Sequence, residues 1–262
     1  MVRSIKFFYF GNQCPRNGYL LARIKTIAWK EGVQLELFDI SEDRSACEEY
    51  RVFSPQMLIV NDRYRLHGPF TKERVLQLLD DDIVDSSPSN IEQGDSVVRG
   101  DLVMITPESV LSTCEPCTNT QDIGLCRGKA EWTAGILQTH RLNHIGYMHF
   151  HDGSCIGGAE FLPSTAVPYP ILDKEDGDAF LTCVYLSHET LDYKTQPLER
   201  LIADLRNWGF ERVSVAAAKK GVFPNGPSSW FEKKGFADKG LLVMEELHDS
   251  EIHYLQLDIG ER

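Results

Sequence analysis

The stretch Ser229–Phe236, with the sequence Ser-Trp-Phe-Glu-Lys-Lys-Gly-Phe, ends a run of predicted strands and helices in the C-terminal half of the chain. Residues 179–186 are nearly all apolar, which is typical of a buried central strand. Residues 196–208 carry apolar side chains at helical spacing and precede Gly209, a common helix terminator. Residues 213–218 form a second apolar segment, so the order predicts a β-α-β unit.

Shorter strands and one helix are predicted upstream of this unit. Apolar patterns indicate strands at residues 102–105, 144–150 and 155–162, and a helix at residues 129–137. Residues 83–100, in contrast, lie in a polar, turn-rich stretch that is typical of an interdomain linker. The chain of 262 residues is therefore expected to form two α/β domains, at residues 1–82 and 101–262.

The C-terminal domain resembles the GNAT superfamily of N-acetyltransferases. The resemblance rests on the order of strands and helices, on Asn225 and on the run Glu232-Lys233-Lys234-Gly235-Phe236. It implies the acyl-CoA N-acyltransferase fold with a mixed central sheet, and acetyl-CoA or another acyl-CoA as cofactor. It also implies transfer of an acetyl group to an unidentified small-molecule or peptide amine, by direct attack in a ternary complex.

The resemblance also implies where the cofactor binds. In GNAT enzymes a splayed central strand binds pantetheine, and the next helix begins at the pyrophosphate, where unpaired amides and the helix dipole attract anions. The corresponding residues of this chain are Val184, Tyr185, Leu186, Tyr193, Lys194, Thr195, Gln196, Leu198 and Asn225.

Two features of the C-terminal domain depart from the family pattern. Gln196 and Leu198 stand where the family has small residues, which allow close approach of phosphate to the backbone. Phe231 stands where the family has the tyrosine that protonates the departing thiolate. A catalytically degenerate two-domain protein with a binding or regulatory role is therefore the alternative to an acetyltransferase.

Four side chains are candidates for proton transfer. A general base must lie within hydrogen-bonding reach of the attacking amine. Glu160 is the first candidate, because it lies on the predicted strand beside the splayed one. His149 and His151 share one strand face by period two, which predicts that both line the cleft or both face solvent. Ser229 is the candidate to face the thiol, although serines at helix starts are commonly caps.

The N-terminal domain resembles the thioredoxin-like fold over residues 3–80, with a predicted order β-α-β-β-β-α. Cys14 precedes the first helix, where the helix dipole favours a thiolate, but Asn17 replaces the second cysteine of a C-x-x-C pair. A monothiol redox or sensor function of Cys14 is therefore a further alternative, with Cys47 as a resolving thiol. Pro55 matches the cis-proline of the family, which implies an extended partner peptide at that edge.

A cluster of three cysteines, Cys114, Cys117 and Cys126, falls in one predicted loop. A C-x-x-C turn with a third nearby cysteine is compatible with zinc, although no fourth ligand is evident from the sequence. A reactive thiol pair and structural thiols are the other interpretations. The odd total of seven cysteines, without a secretion signal, argues against a framework of disulfides.

Charge and hydropathy exclude several classes of partner. The formal net charge of −12 disfavours nucleic acids and anionic membranes. No apolar run reaches the roughly 18 residues that a membrane span needs. The N-terminal segment Ser4–Phe10 predicts a strand rather than a signal peptide, so a cytoplasmic protein is expected. A homodimer is left open.

Overall fold

The computed structural model describes residues 3–82, 93–113, 122–185, 188–219, 223–245 and 250–260. The strands are β1 (Ser4–Tyr9), β2 (Gln34–Asp39), β3 (Gln56–Val60), β4 (Tyr64–His67), β5 (Ser96–Val97), β6 (Asp101–Met104), β7 (Gly146–His151), β8 (Ser154–Pro163), β9 (Asp178–Tyr185), β10 (Leu191–Asp192), β11 (Arg212–Ala218), β12 (Ala237–Glu245) and β13 (Ser250–Asp258). The helices are α1 (Arg16–Glu31), α2 (Arg44–Tyr50), α3 (Lys72–Leu79), α4 (Pro107–Thr113), α5 (Ile123–His140), α6 (Thr195–Asn207) and α7 (Ser228–Lys233). A short 3₁₀ helix covers Ser164–Ala166.

The N-terminal half forms a four-stranded sheet in the order β2-β1-β3-β4. Strand β1 pairs in parallel with β2 and antiparallel with β3. Helix α2, which the predicted order lacks, lies between β2 and β3. Its N-cap is Asp43, whose carboxylate accepts from Ser45 N and Ala46 N. This side-chain cap stabilises a helix that is too short to show apolar periodicity.

The C-terminal half forms a seven-stranded mixed sheet in the order β12-β13-β11-β9-β8-β7-β6. Strands β9 and β11 are parallel, and the other neighbouring pairs of this sheet are antiparallel. Helix α6 makes the crossover between the parallel strands, and it buries Leu198, Leu201 and Leu205 in one apolar cluster. The predicted mixed α/β fold with a mixed central sheet is confirmed.

The two halves pack against each other. One cluster of buried apolar side chains includes Phe8 and Phe10 from the N-terminal half and Met148 and Phe180 from the C-terminal half. Polar contacts cross the same boundary, and Arg51 Nη2 donates to Leu242 O at 2.7 Å. Among the helices of the described ranges, none has the length and apolarity that crossing a membrane requires.

Candidate functional site

Strands β9 and β11 diverge toward their C-terminal ends. The two strands pair at four positions, from Arg212 opposite Asp178 to Val215 opposite Leu181. On the other edge of β9, Leu181 pairs with Phe161 and Cys183 pairs with Glu160, so Thr182 is an extra residue in the ladder. Such a bulge bends a strand and increases its twist. Beyond Val215 and Leu181 the two strands no longer pair, and we call the space between them the β9–β11 gap.

The side chain of Asn225 spans the β9–β11 gap. Its Oδ1 accepts from Val184 N at 2.8 Å, and its Nδ2 donates to Ala216 O at 3.1 Å. Asn225 has φ of 51°, a left-handed conformation that asparagine adopts more readily than most residues. The gap therefore has the width of one amide group and offers a donor on one side and an acceptor on the other.

A buried carboxylate occupies the beginning of α6, which we call the α6 turn. One oxygen of Asp192 accepts from Lys194 N at 3.0 Å and from Thr195 N at 2.9 Å. The other accepts from Thr195 Oγ1 at 2.5 Å and from Trp230 Nε1 at 2.9 Å. Burial opposes the charge of Asp192, but these hydrogen bonds outweigh burial and lower the pKa of the carboxyl below its ordinary value. Asp192 thus satisfies the helix N-terminus as an ionised group.

Lys194, predicted to contact the cofactor, points into the protein. The residue is 0% exposed, and its Nζ donates to Gly226 O at 3.0 Å and lies 4.5 Å from the centre of the Trp230 ring. Burial lowers the pKa of Lys194 to about 7, although the charge of Asp192 works in the opposite direction. Lys194 therefore anchors the loop that carries Asn225.

The segment 93–100 covers the α6 turn. Gln196 Oε1 accepts from Gly100 N at 2.8 Å, and Gln196 Nε2 donates to Gly100 O at 2.9 Å. A Cβ at Gly94 would lie 2.0 Å from the Thr190 carbonyl carbon, so the two backbones are in close contact. Tyr193 O accepts from His149 Nδ1 at 2.8 Å. The turn is therefore bonded to neighbouring segments on more than one side.

The remaining predicted cofactor residues have different environments. Leu198 is buried, and its N–H donates to Lys194 O within the first turn of α6. Tyr185 lies at the end of β9, beyond the last pair with β11, and is buried. Leu186 lies outside the described residues.

Glu160 is buried in an ion pair and is not open to an amine. One carboxylate oxygen accepts from Lys129 Nζ at 2.7 Å, and the other accepts from Gln13 Nε2 and from Thr182 Oγ1. Lys129 Nζ also donates to Gln13 O at 2.6 Å, and Lys129 is 0% exposed. The general-base role of Glu160 stays a prediction; in this arrangement Lys129, Gln13 and Thr182 occupy both of its carboxylate oxygens.

The two histidines of β7 do not share an environment. His149 is fully buried, and burial lowers the pKa of its imidazole. The side chain of His151 is 48% exposed and faces Asp152. His149 lies inside β7, whereas His151 is its last residue, beside the turn to β8; the extra residue of this ladder, Ile156, belongs to β8.

The other candidate catalytic residues differ in their exposure and bonding. Ser229 is exposed on α7, whereas the neighbouring Ser228 and Trp230 are buried, so Ser229 faces solvent. Cys14 is partly buried beside the start of α1 and is not disulfide-bonded. Burial raises the pKa of the Cys47 thiol to about 12, which disfavours its role as a resolving thiolate.

The expected peptide edge at Pro55 is not open. Pro55 is buried, and its carbonyl accepts from Phe10 N at 2.9 Å. The cis peptide bonds of the described ranges are Phe223–Pro224 and Gly226–Pro227, so the predicted cis bond before Pro55 is wrong. The contact with Phe10 and the packing of the C-terminal half leave no exposed strand at this position.

The predicted zinc cluster is not supported. Cys126 is disulfide-bonded, so its sulfur is not a thiolate ligand. Cys114 and Cys117 lie outside the described residues. Within the part of the chain that the structure describes, no group of three or more His, Cys, Asp or Glu side chains is arranged to bind a metal.

Comparisons with known proteins give structural likenesses only. No protein-family model matches the chain, and no curated protein matches it. An N-acetyltransferase from Staphylococcus aureus Mu50 aligns with 62% of this chain and 99% of its own, at 14% identity and a TM-score of 0.42. A ribosomal-protein-alanine N-acetyltransferase from Brucella melitensis covers 60% of this chain and 99% of its own, at 12% identity and a TM-score of 0.42. The PaiA N-acetyltransferase from Thermoplasma acidophilum, in complex with coenzyme A, covers 60% and 98%, at 14% identity and 0.39.

Two residues that define this site were missed by sequence reasoning. Asp192 had a recognisable signal, because an aspartate just before an amphipathic helix is a common cap. Lys129 had none, because a lysine in a predicted helix is ordinarily exposed. Its pairing with Glu160 depends on how α5 packs against β8 and the N-terminal half.

Proposed function

We propose that the C-terminal half is a GNAT-type domain that transfers an acetyl or other acyl group from a thioester to an amine. The observation that carries the proposal is the Asn225 bridge across the β9–β11 gap. A secondary amide of an extended thioester arm could make the same two bonds, by accepting from Val184 N–H and donating to Ala216 C=O. The bulge at Thr182 and the crossover helix α6 support the same interpretation.

Coenzyme A fits one part of this site and not the other. The β9–β11 gap has the polarity and width for the amides of the pantetheine arm. The α6 turn does not fit the diphosphate, because the N–H groups of Lys194 and Thr195 already bind the Asp192 carboxylate.

The acceptor amine attacks as the neutral base in this proposal. Gln13 and Lys129 occupy Glu160, so that carboxylate does not take the proton of the amine. The amine nitrogen forms a bond to the thioester carbonyl carbon, the carbon–sulfur bond breaks, the pantetheine leaves as its thiolate, and solvent receives the amine proton. The rate should consequently rise tenfold per pH unit below the pKa of the amine, as its neutral fraction does.

A mixture of polyamines, amino acids, aminoglycosides and lysine peptides, with acetyl-pantetheine as donor, tests the activity. Mass spectrometry of the amines should detect enzyme-dependent acetylation, and the same assay with Ser229→Ala should give an equal rate, because Ser229 is exposed. The absence of both thioester binding and acetylated product would contradict the proposal.

A binding or regulatory role is the second candidate function. The observation that favours it is the ion pair of Glu160 and Lys129 with Gln13, which closes the sheet against the N-terminal half. This candidate predicts that no amine in the mixture is acetylated and that acetyl-pantetheine does not change the melting temperature of the protein.

A further inference from the structure

We infer that the acyl donor is recognised through its pantetheine arm alone and that its nucleotide diphosphate makes no contact with the α6 turn. This inference rests on the proposed function, and it names the donor class as acyl-pantetheine thioesters, whatever group is attached to the far end of the pantetheine. Three properties of the turn support it: the use of its amides, its negative charge and the segment 93–100 that covers it.

Of the amides at the start of α6, two bind Asp192, one donates within the helix and one is missing. Lys194 N and Thr195 N donate to Asp192 Oδ1. Pro197 has no N–H, and Leu198 N donates to Lys194 O. A helix N-terminus binds phosphate through such free N–H groups. In this chain an internal carboxylate takes the place of the anion.

The charges of the turn are balanced without a ligand. Asp192 is 2% exposed, and the hydrogen bonds from Thr195, Trp230 and the backbone favour its ionised form. Lys234 Nζ lies 3.9 Å from Asp192, and Lys194 Nζ points to Gly226 O. A diphosphate placed at these amides would meet a negative charge rather than an electropositive helix end.

The segment 93–100 restricts access to the same turn. Strand β5 of this segment pairs in parallel with β10, which carries Asp192. Gln196 makes two hydrogen bonds with the backbone of Gly100. A diphosphate would have to displace both contacts as well as the carboxylate. The Asn225 bridge, in contrast, is a neutral group that a ligand amide replaces bond for bond.

Calorimetric titration of the full chain with acetyl-pantetheine and with acetyl-CoA tests the inference. We expect dissociation constants that agree within about threefold and that change less than about twofold between roughly 50 and 300 mM NaCl. Adenosine 3′,5′-bisphosphate should not compete. Binding of acetyl-CoA at least tenfold tighter than acetyl-pantetheine, or competition by the bisphosphate, would overturn the inference. Failure of both thioesters to bind would instead overturn the proposed function, and the inference with it.

Asp192→Asn tests the role of the carboxylate. The asparagine keeps an oxygen for Lys194 N and Thr195 N but removes the negative charge. We expect the affinity for acetyl-CoA, relative to acetyl-pantetheine, to rise at least fivefold. Asp178→Asn is the matched control, because Asp178 is equally buried and lies at the N-terminal end of β9, away from the gap. The affinity for acetyl-CoA relative to acetyl-pantetheine should not change in this variant. An unchanged ratio in folded Asp192→Asn, verified by circular dichroism, would contradict exclusion of the diphosphate by this charge.

Discussion

The α6 turn and the β9–β11 gap lie at successive points of one crossover, and each is filled by a side chain of the protein. The turn holds the ionised Asp192, with four hydrogen bonds and two neighbouring lysines. The gap holds the neutral carboxamide of Asn225, with two hydrogen bonds. A fixed charge with many partners is costly to displace, whereas a single amide is exchangeable for another amide. We therefore expect the two ends of this site to differ in the ligand groups that they accept.

The largest expected effect is that of Asp192→Ala. The substitution leaves the Trp230 N–H and two backbone amides without their acceptor, in a buried location. Because each unsatisfied buried group costs about 1–3 kcal/mol, we expect a loss of about 3 kcal/mol in the free energy of unfolding. Chemical denaturation measures this loss, with Asp192→Asn as the conservative variant. A loss below about 1 kcal/mol would contradict the role of the carboxylate as an integral part of the turn.

Asn225→Gly tests the role of the Asn225 amide in the β9–β11 gap. Glycine keeps the left-handed backbone but leaves Val184 N–H and Ala216 C=O without the bridging amide, and we expect a loss of about 2 kcal/mol in stability. The same two groups then become available, so acetyl-pantetheine should bind several-fold more tightly. Asn61→Gly is the control, because Asn61 also has a positive φ but lies in the N-terminal half. Weaker binding by Asn225→Gly would show that Asn225 contacts the ligand rather than making way for it.

Lys194→Met tests the burial of the lysine amine at the α6 turn through the pH dependence of the free energy of unfolding. The pKa of Lys194 is about 7 in the folded protein and 10.5 without burial, so the unfolded chain binds more protons between these values. The wild type should therefore gain about 1 kcal/mol of stability per pH unit from roughly pH 7 to pH 9.5, relative to Lys194→Met. Denaturation with guanidinium at several pH values measures the difference. Parallel profiles would contradict the burial of this amine, and Lys233→Met, at an exposed lysine, is the control.

The smallest expected effect is that of Gln196→Ala. It removes two part-buried hydrogen bonds to Gly100 and should lower the stability by about 1 kcal/mol. Because Asp192 remains, the affinity for acetyl-CoA should not increase. An increase of more than threefold would show that the cover over the turn, rather than its charge, excludes the diphosphate.

The strands and helices with clear apolar runs or helical periodicity are predictable from the sequence. The apolar runs of β9 and β11 and the periodicity of α6 predict the crossover, whereas the grouping of Asn225 with Val184 follows from the resemblance to the GNAT superfamily. Helix α2 was missed because a two-turn helix has no measurable period.

The chemistry of the site depended on contacts between distant segments. Glu160 was expected to face a substrate, but it meets Lys129 and Gln13 from segments far away in the chain. The different burial of His149 and His151 reflects the end of β7 at His151, which the period-two pattern does not indicate. The missing glycines of the α6 turn are visible in the sequence, whereas the hydrogen bonds of its amides to the Asp192 carboxylate are not.

The backbone amides of Val184 and Thr195 test the central claim most directly, because one lies at the gap and the other at the turn. Their ¹H–¹⁵N resonances are followed while acetyl-pantetheine and then acetyl-CoA are added to labelled protein. The account predicts that the Val184 resonance shifts to saturation with either thioester and that the Thr195 resonance shifts with neither. A shift of Thr195 with acetyl-CoA, while Val184 stays in place, would contradict it.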